Sequence, residues 1–210
     1  MISILKRSNK SILGLVLAWA IVIALGGCSF MGARAPSRTF LLDPGKPSAV
    51  RTIAGRASIS FVDIPGQSGL GNFLYRLTDS DWETDPYNRF LSSPQEMMTG
   101  VVRTWLTDSR QFTGVLLIGE GGAADLRVDV EVSELYIDFR NPAAPEAVIS
   151  MEVALHRIAN SGVGARLMNQ TFSARVPVAD RTPEAFVQAW EYALRQNLVS
   201  LSSSLRSVGR

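Results

Sequence analysis

The sequence predicts an α+β fold, a largely antiparallel β-sheet with two amphipathic helices packed on one face as a two-layer sandwich. Three observations carry this. Between residues 126 and 178, apolar and polar residues alternate in long runs, the period-2 signature of half-buried strands. Two other stretches, opening at Ser93-Pro94 and Thr182-Pro183, repeat apolar residues at helical spacing behind residues that start helices. Pro- and Gly-containing turns separate the runs, and both helices are free to cover the same sheet face.

The N-terminal residues differ from everything after them. Lys6, Arg7 and Lys10 precede an almost wholly apolar stretch from Ile12 to Leu25, and Gly26-Gly27 lead to Cys28. Residues 1–27 therefore have the layout of an export signal, and the stretch is too short to span a bilayer comfortably as a permanent helix. Leu25-Gly26-Gly27-Cys28 resembles the bacterial lipobox, in which lipid joins the cysteine sulfur and the signal is cut just before it. Cys28 is the single cysteine, so within one copy it makes neither a disulfide nor a thiolate zinc site. Lipid attachment gives it a use, and with roughly 0.8 kcal/mol gained per buried methylene, two or three acyl chains anchor firmly. Residues 28–38 then form the lipidated cysteine and a tether of small, polar and basic residues. Ten such residues extend about 30 Å at roughly 3.3 Å each. Ser29, where an aspartate would mark retention, resembles cargo forwarded to the outer membrane.

Without the signal, 18 basic residues face 19 acidic ones, a formal charge of −1. The pI of about 8.9 for the whole chain thus says little about the working protein, and nucleic-acid binding loses its electrostatic footprint. Residues 39–210 are enough for one domain with a real core.

Thr39–Asp43 is a short strand candidate closed by Pro44-Gly45, and Ile53–Ile64 alternates as a second strand. Residues 66–71 form a glycine-containing loop that lacks the helix a dinucleotide fingerprint needs. Phe73–Leu77 returns to strand. Residues 81–94 are expected as an exposed loop before the first helix, in which Met97, Met98, Val101, Val102, Trp105 and Leu106 form the apolar stripe. Val115–Ile118 is a strand of apolar residues, and residues 119–122 turn the chain. Leu126, Val128, Val130 and Val132 share one parity, whereas Leu135, Ile137 and Phe139 share the other, which predicts a β-bulge near Ser133-Glu134. Residues 141–145 connect to the strand of Ile149, Met151, Val153 and Leu155. A turn at residues 161–164 leads to Met168, Phe172, Val176 and Val178, completing a three-strand meander. The second helix carries Phe186, Ala189, Trp190, Ala193, Leu201 and Leu205, with Asn197 as a polar interruption.

Catalytic inventory is thin. His156 is the single histidine and alternates with apolar neighbours in a strand. Asp79, Asp81, Glu83 and Asp85 lack the glycine and terminal glutamate of a calcium loop. Asp125, Asp129 and Glu131 share the polar face of a strand. No nucleophile, base and orienting group assemble, so neither enzyme activity nor a cofactor is expected. What stands out is the segment of Trp82, Glu83, Asp85, Tyr87, Asn88, Arg89 and Phe90, aromatic residues mixed with arginine and carboxylates, a composition typical of protein contact surfaces.

The blocks WETDPYNRFL followed by SPQEMMT, DLRVDVEVSELYIDFRNPAAPEAVISMEVAL, and ARVPVADRTPEAFVQAWEYAL together resemble the ABC-type transport auxiliary lipoprotein family, which includes the paraquat-inducible protein C lipoproteins. The resemblance runs from about Thr39 to Leu205. It implies an outer-membrane lipoprotein facing the periplasm, working with an ABC permease and ATPase and a periplasmic MCE-domain (mammalian cell entry) protein that move lipid between membranes. Such a chain docks the MCE assembly to the outer membrane without catalysis, and Trp82 to Leu91 match the family motif. Pro86 stands where an aromatic residue is expected. The hexameric habit of MCE proteins makes a homo-oligomer a reasonable expectation, and whether phospholipid touches this chain stays open. Two alternatives of other kinds accompany this reading. One is a lipid-binding or outer-membrane assembly lipoprotein with a groove between sheet and helices. The other is a periplasmic hydrolase, which turnover abolished by replacing His156 would support.

Overall fold

The computed structural model describes residues 36–48, 53, 55–64, 71–159 and 162–208. The expected signal, Cys28, most of the tether and nearly all of the 66–71 loop lie outside the described residues. In chain order the elements are β1 (Arg38–Phe40), β2 (Arg56–Ile59), β3 (Asn72–Arg76), β4 (Trp82–Phe90), α1 (Pro94–Asp108), β5 (Gly114–Leu117), β6 (Leu126–Asp138), β7 (Glu146–Ala159), β8 (Gly162–Pro177) and α2 (Pro183–Val208). This is an α+β fold.

Its sheet is organised by β6, which is long enough to serve two partners on one edge. The first residues of β6 pair in parallel with β2, Ala57–Ile59 opposite Leu126–Val128. Its last residues pair in parallel with β3, Tyr75 opposite Ile137 and Arg76 opposite Asp138. Beyond β2 lies β5, and beyond β3 lie β4 and then β1. The opposite edge of β6 is taken along its whole length by β7, which pairs with β8. The expected meander is therefore the trunk of a forked, mixed sheet, and its antiparallel ladders supply most of the paired length. The branches add parallel pairings because the chain crosses between them, once through α1.

The predicted bulge is present. The β6–β7 register shifts between Val132 and Glu134, so Val128, Val130 and Val132 before it and Leu135 and Ile137 after it are all buried. It falls between the two branch points, where extra twist lets one strand serve both. Residues 60–63 follow β6 into this gap, with Asp63 bridging Glu131.

The core forms where the buried face of the sheet meets both helices. Ile149, Met151, Val153 and Leu155 of β7 are fully buried, as are Trp190, Ala193, Leu194, Leu198, Leu201 and Leu205 of α2. The polar interruption in that stripe is explained: the Asn197 amide donates to the Ile149 carbonyl at 3.1 Å, tying helix to sheet by a satisfied buried hydrogen bond. Both predicted caps form. The Ser93 hydroxyl accepts from the Glu96 N–H at 3.2 Å, and the Thr182 hydroxyl accepts from the Ala185 N–H at 3.3 Å. The helices are joined through Ser202, whose hydroxyl accepts from Trp105 Nε1 at 2.9 Å and whose carbonyl accepts from the Gln111 amide at 2.6 Å.

Four expectations are corrected. The second strand, expected over Ile53–Ile64, is confined to β2 at Arg56–Ile59, and beyond it Asp63 makes only an isolated bridge to Glu131. The first strand ends at Phe40 rather than Asp43, because the Asp43 carboxylate accepts from the Gly45 N–H and turns the chain. Of the turn expected at residues 161–164, Gly162, Val163 and Gly164 belong instead to β8, with Gly162 opposite Ala159. The expected loop at 81–94 is mostly strand: β4 spans Trp82–Phe90.

Candidate functional site

Strand β4 stays in the sheet despite Pro86 because it carries a wide bulge. Asn72 faces Arg89, but Leu74, two residues on, faces Thr84 rather than Tyr87, so three extra residues are accommodated. A proline removes a ladder donor and is tolerated where no ladder bond is needed. Gly71 enters this region with φ +73, and its carbonyl accepts from the Phe90 N–H at 2.8 Å; left-handed backbone there suits glycine.

Asp85 holds the bulge together. Its Oδ1 accepts from the backbone N–H of Tyr87 at 2.8 Å and of Asn88 at 3.0 Å. Its Oδ2 accepts from the Tyr75 hydroxyl at 2.6 Å and the Asn88 amide at 2.8 Å, and its backbone carbonyl accepts from the Asn72 amide at 2.5 Å. Burial opposes ionisation of this carboxyl, but the converging donors outweigh it and hold its pKa below the ordinary aspartate value. Burial first, and the contact with Asp85 second, push the Tyr75 phenol far up, so it remains a donor.

The seven segment residues separate by this geometry. Phe90 turns into the core, 5.0 Å from Phe73 and 5.5 Å from Trp190 between ring centroids. Asp85 is buried in the bulge and Asn88 is half-buried. Trp82, Glu83, Tyr87 and Arg89 are exposed, with Trp82 at 43% and Tyr87 at 45%. Trp82 packs edge-on to Tyr136 at 5.0 Å and beneath the Arg76 guanidinium at 5.2 Å, a cation–π contact. The strand is also fastened to the tether's end: β1 pairs in parallel with β4, Arg38 opposite Asn88 and Phe40 opposite Phe90.

Beside the bulge lies a cleft of about 600 Å³ whose lining includes Tyr75, Glu83, Asp85, Asn88, Phe139 and Phe186. Its aromatic wall is built edge to face, Tyr75 to Phe139 at 5.5 Å and Phe139 to Phe186 at 5.8 Å.

Next to Trp82, on the sheet face away from the helices, is a charge network that residue spacing did not reveal. Asp138 is buried and accepts from Arg140 Nη2 at 2.7 Å and Arg175 Nη2 at 2.5 Å. Asp79 accepts from Arg140 at 2.7 Å. The hydrogen bonds from Arg140 lead in holding the Asp138 carboxyl well below the carboxylate range, against its burial. His156 is part-buried with Nε2 3.9 Å from Asp129.

Asp85 and Asp138 make acid stability predictable in sign. Both pKa values are depressed, so the stability they contribute is present above the unfolded aspartate value of about 4 and is lost as pH falls through the folded values. The urea midpoint should therefore fall from pH 5 to pH 2.5. Asp138→Asn should lower the midpoint at pH 5 and flatten that fall, which tryptophan fluorescence during urea titration checks.

No curated protein matches this sequence. Protein XCC0632 from Xanthomonas campestris has a similar structure at TM-score 0.70 and 16% identity, covering 81% of this chain and 97% of that one. A second solved protein, described as uncharacterized, is similar at TM-score 0.62 and 13% identity, covering 81% and 99%. At such identities these likenesses concern the fold. The family model described as "ABC-type transport auxiliary lipoprotein component" matches residues 40–201, from β1 into the last turns of α2. That span takes in both branches of the sheet, the Asp85 bulge and both helices, and by it the chain belongs to the ABC-type transport auxiliary lipoprotein family.

Proposed function

We propose that this transport auxiliary is a non-catalytic adaptor. It is anchored at the periplasmic face of the outer membrane through lipid on Cys28, and docks a periplasmic MCE-domain assembly, served by its ABC permease and ATPase, to that membrane. In this reading residues 1–27 are the removed signal, residues 28–38 the lipidated cysteine and tether, and residues 39–210 the working domain. One observation carries it. The strand that presents Trp82 and Tyr87 is locked by Asp85 and is paired directly to β1, where the tether enters the domain. A load arriving from a docked partner would pass from β4 to β1 and on to the anchor without crossing the core. Aromatic side chains held rigidly at a surface lose little entropy on binding, which suits them as anchors.

Photo-crosslinking in intact cells tests this, with the crosslinking residue at Tyr87 and a control at Tyr192, which is 57% exposed on α2. Adducts to an MCE-domain protein at Tyr87 and none at Tyr192 are expected. Lipid adducts at Tyr87, equal yields at both positions, or no adduct would overturn the reading.

A further inference from the structure

Strand β8 (Gly162–Pro177) is the longest in the sheet and forms one of its edges, since it pairs with β7 alone and no strand among the described residues lies beyond it. The sheet's other outer strands are short, three residues in β1 and four in β5, which leaves little for another chain to pair with. β8 lacks such protection. Its register shifts fall opposite Leu155–Ile158, and from Met168 to Val176 the strand runs regularly with no proline, no lysine and Arg175 as its single charge. The direction of its backbone groups follows from one bond. The Val178 N–H donates to the Pro145 carbonyl at 2.9 Å, and an antiparallel ladder alternates bonded with non-bonded pairs. Met168, Gln170, Phe172, Ala174 and Val176 therefore turn their N–H and C=O groups to β7. Asn169, Thr171, Ser173 and Arg175 turn theirs outward along the open edge.

We propose that two copies of this chain pair through this edge, β8 antiparallel to β8 about a two-fold axis at Phe172. A row of alternating backbone donors and acceptors is matched by another extended strand, which sets polypeptide apart from lipid as the occupant. The row also matches itself. Centred on Phe172, Asn169 faces Arg175 of the second copy and Thr171 faces Ser173 of the second copy, so all four outward residues of both strands exchange N–H and C=O bonds. Centring on Thr171 or Ser173 engages fewer of them. Charge agrees with this register: Arg175 is already held by Asp138 and Glu146 of its own chain, and it meets the neutral Asn169, whose amide donates to Glu152 at 2.7 Å. No like charges stand opposite each other. Edge length argues for the same occupant, because neither β1 nor β5 of a second copy is long enough to cover this stretch. A two-fold contact of this kind closes on itself and leaves neither β8 edge open. The inference goes beyond the adaptor reading and is independent of what docks on β4; it joins two domains into one continuous sheet.

The test uses the full chain. Thr171→Cys and Ser173→Cys, carrying different affinity tags, are co-expressed in intact cells and mildly oxidised; such paired residues lie about 5.5 Å apart between Cα atoms, within the range a disulfide spans. A mixed disulfide is expected, in about fivefold or greater excess over the yield when Ser133→Cys, exposed on β6, replaces Ser173→Cys. Light scattering of the purified full-length protein should show a dimer whose dissociation constant rises about thirtyfold in Thr171→Pro, from the loss of one edge bond per copy. The Thr171 N–H points outward, so proline there removes no bond to β7 and the melting temperature should hold; if it falls, the disulfide arm decides. A monomeric wild type, a dimer indifferent to Thr171→Pro, or no mixed disulfide would overturn the inference. So would capture of Thr171→Cys by a different protein, which would give the edge to a foreign strand. None of these variants touches Tyr87, so the adaptor reading stands or fails separately, on its own crosslinks.

Discussion

Trp190→Ala should lower the thermal midpoint of the domain by roughly 10 °C. Trp190 is fully buried in α2, edge-on to Phe73 at 4.9 Å and 5.5 Å from Phe90, and its Nε1 donates to the Tyr136 carbonyl at 3.1 Å. It therefore ties the long helix to β3, β4 and β6 at once. Truncating a buried tryptophan costs about 3–5 kcal/mol in lost transfer energy and cavity, and in a domain of this size each kcal/mol moves the midpoint by about 2–4 °C. Trp190→Phe should recover most of the ring packing and lose the indole bond, settling at a smaller deficit. Calorimetry of the two variants separates the contributions. A Trp190→Ala midpoint within about 3 °C of wild type would mean that this aromatic cluster does not hold the sheet branches to the helix.

Asp85→Ala should have the larger functional effect. It removes four hydrogen bonds from one carboxylate and leaves the Tyr75 hydroxyl and the Asn88 amide without their shared acceptor. Losing an acceptor from a buried polar cluster costs about 1–3 kcal/mol per stranded group at most, so a net loss of about 2–3 kcal/mol is expected. The local consequence is sharper, because the backbone N–H groups of Tyr87 and Asn88 lose the oxygen that holds the bulge closed. Hydrogen exchange at those two amides should accelerate far more than in the β6–β7 ladder, and crosslinking from Tyr87 should fall about tenfold as the ring loses its fixed position. Asp85→Asn retains a carbonyl oxygen for both backbone donors and should give an intermediate result. Exchange rates unchanged at Tyr87 and Asn88 in Asp85→Ala would contradict the bulge account.

What was legible in the sequence were features whose cause is local. The helix starts are written in Ser93-Pro94 and Thr182-Pro183, the bulge in the switch of parity after Val132, and the core face of α2 in its helical spacing. The sheet's branches are not local. Ser58 reaches the Leu126 carbonyl across 68 positions, and no periodicity within β2 or β6 specifies that pairing or its parallel sense. The misreading of β4 has the same origin. Asp85, Pro86 and Asn88 are turn-forming types, and what keeps them in a strand is the Tyr75 hydroxyl and the Asn72 amide, 10 and 13 positions earlier. At the candidate site, Trp82 and Tyr87 could be picked out by residue type. Their supports, Tyr136, Arg76 and the Asp138 network, could not, since they come from other strands and meet only when the sheet forms.

The most direct test of the central claim is the affinity of the purified full-length lipoprotein for the MCE-domain protein of the same system, measured for wild type and for Trp82→Ala, Tyr87→Ala. Adaptor docking through β4 predicts a saturable complex that the double variant weakens about thirtyfold or more, the loss expected when central aromatic anchors are removed, with an unchanged melting curve. Equal affinity in the two proteins, or no complex with wild type, would contradict it.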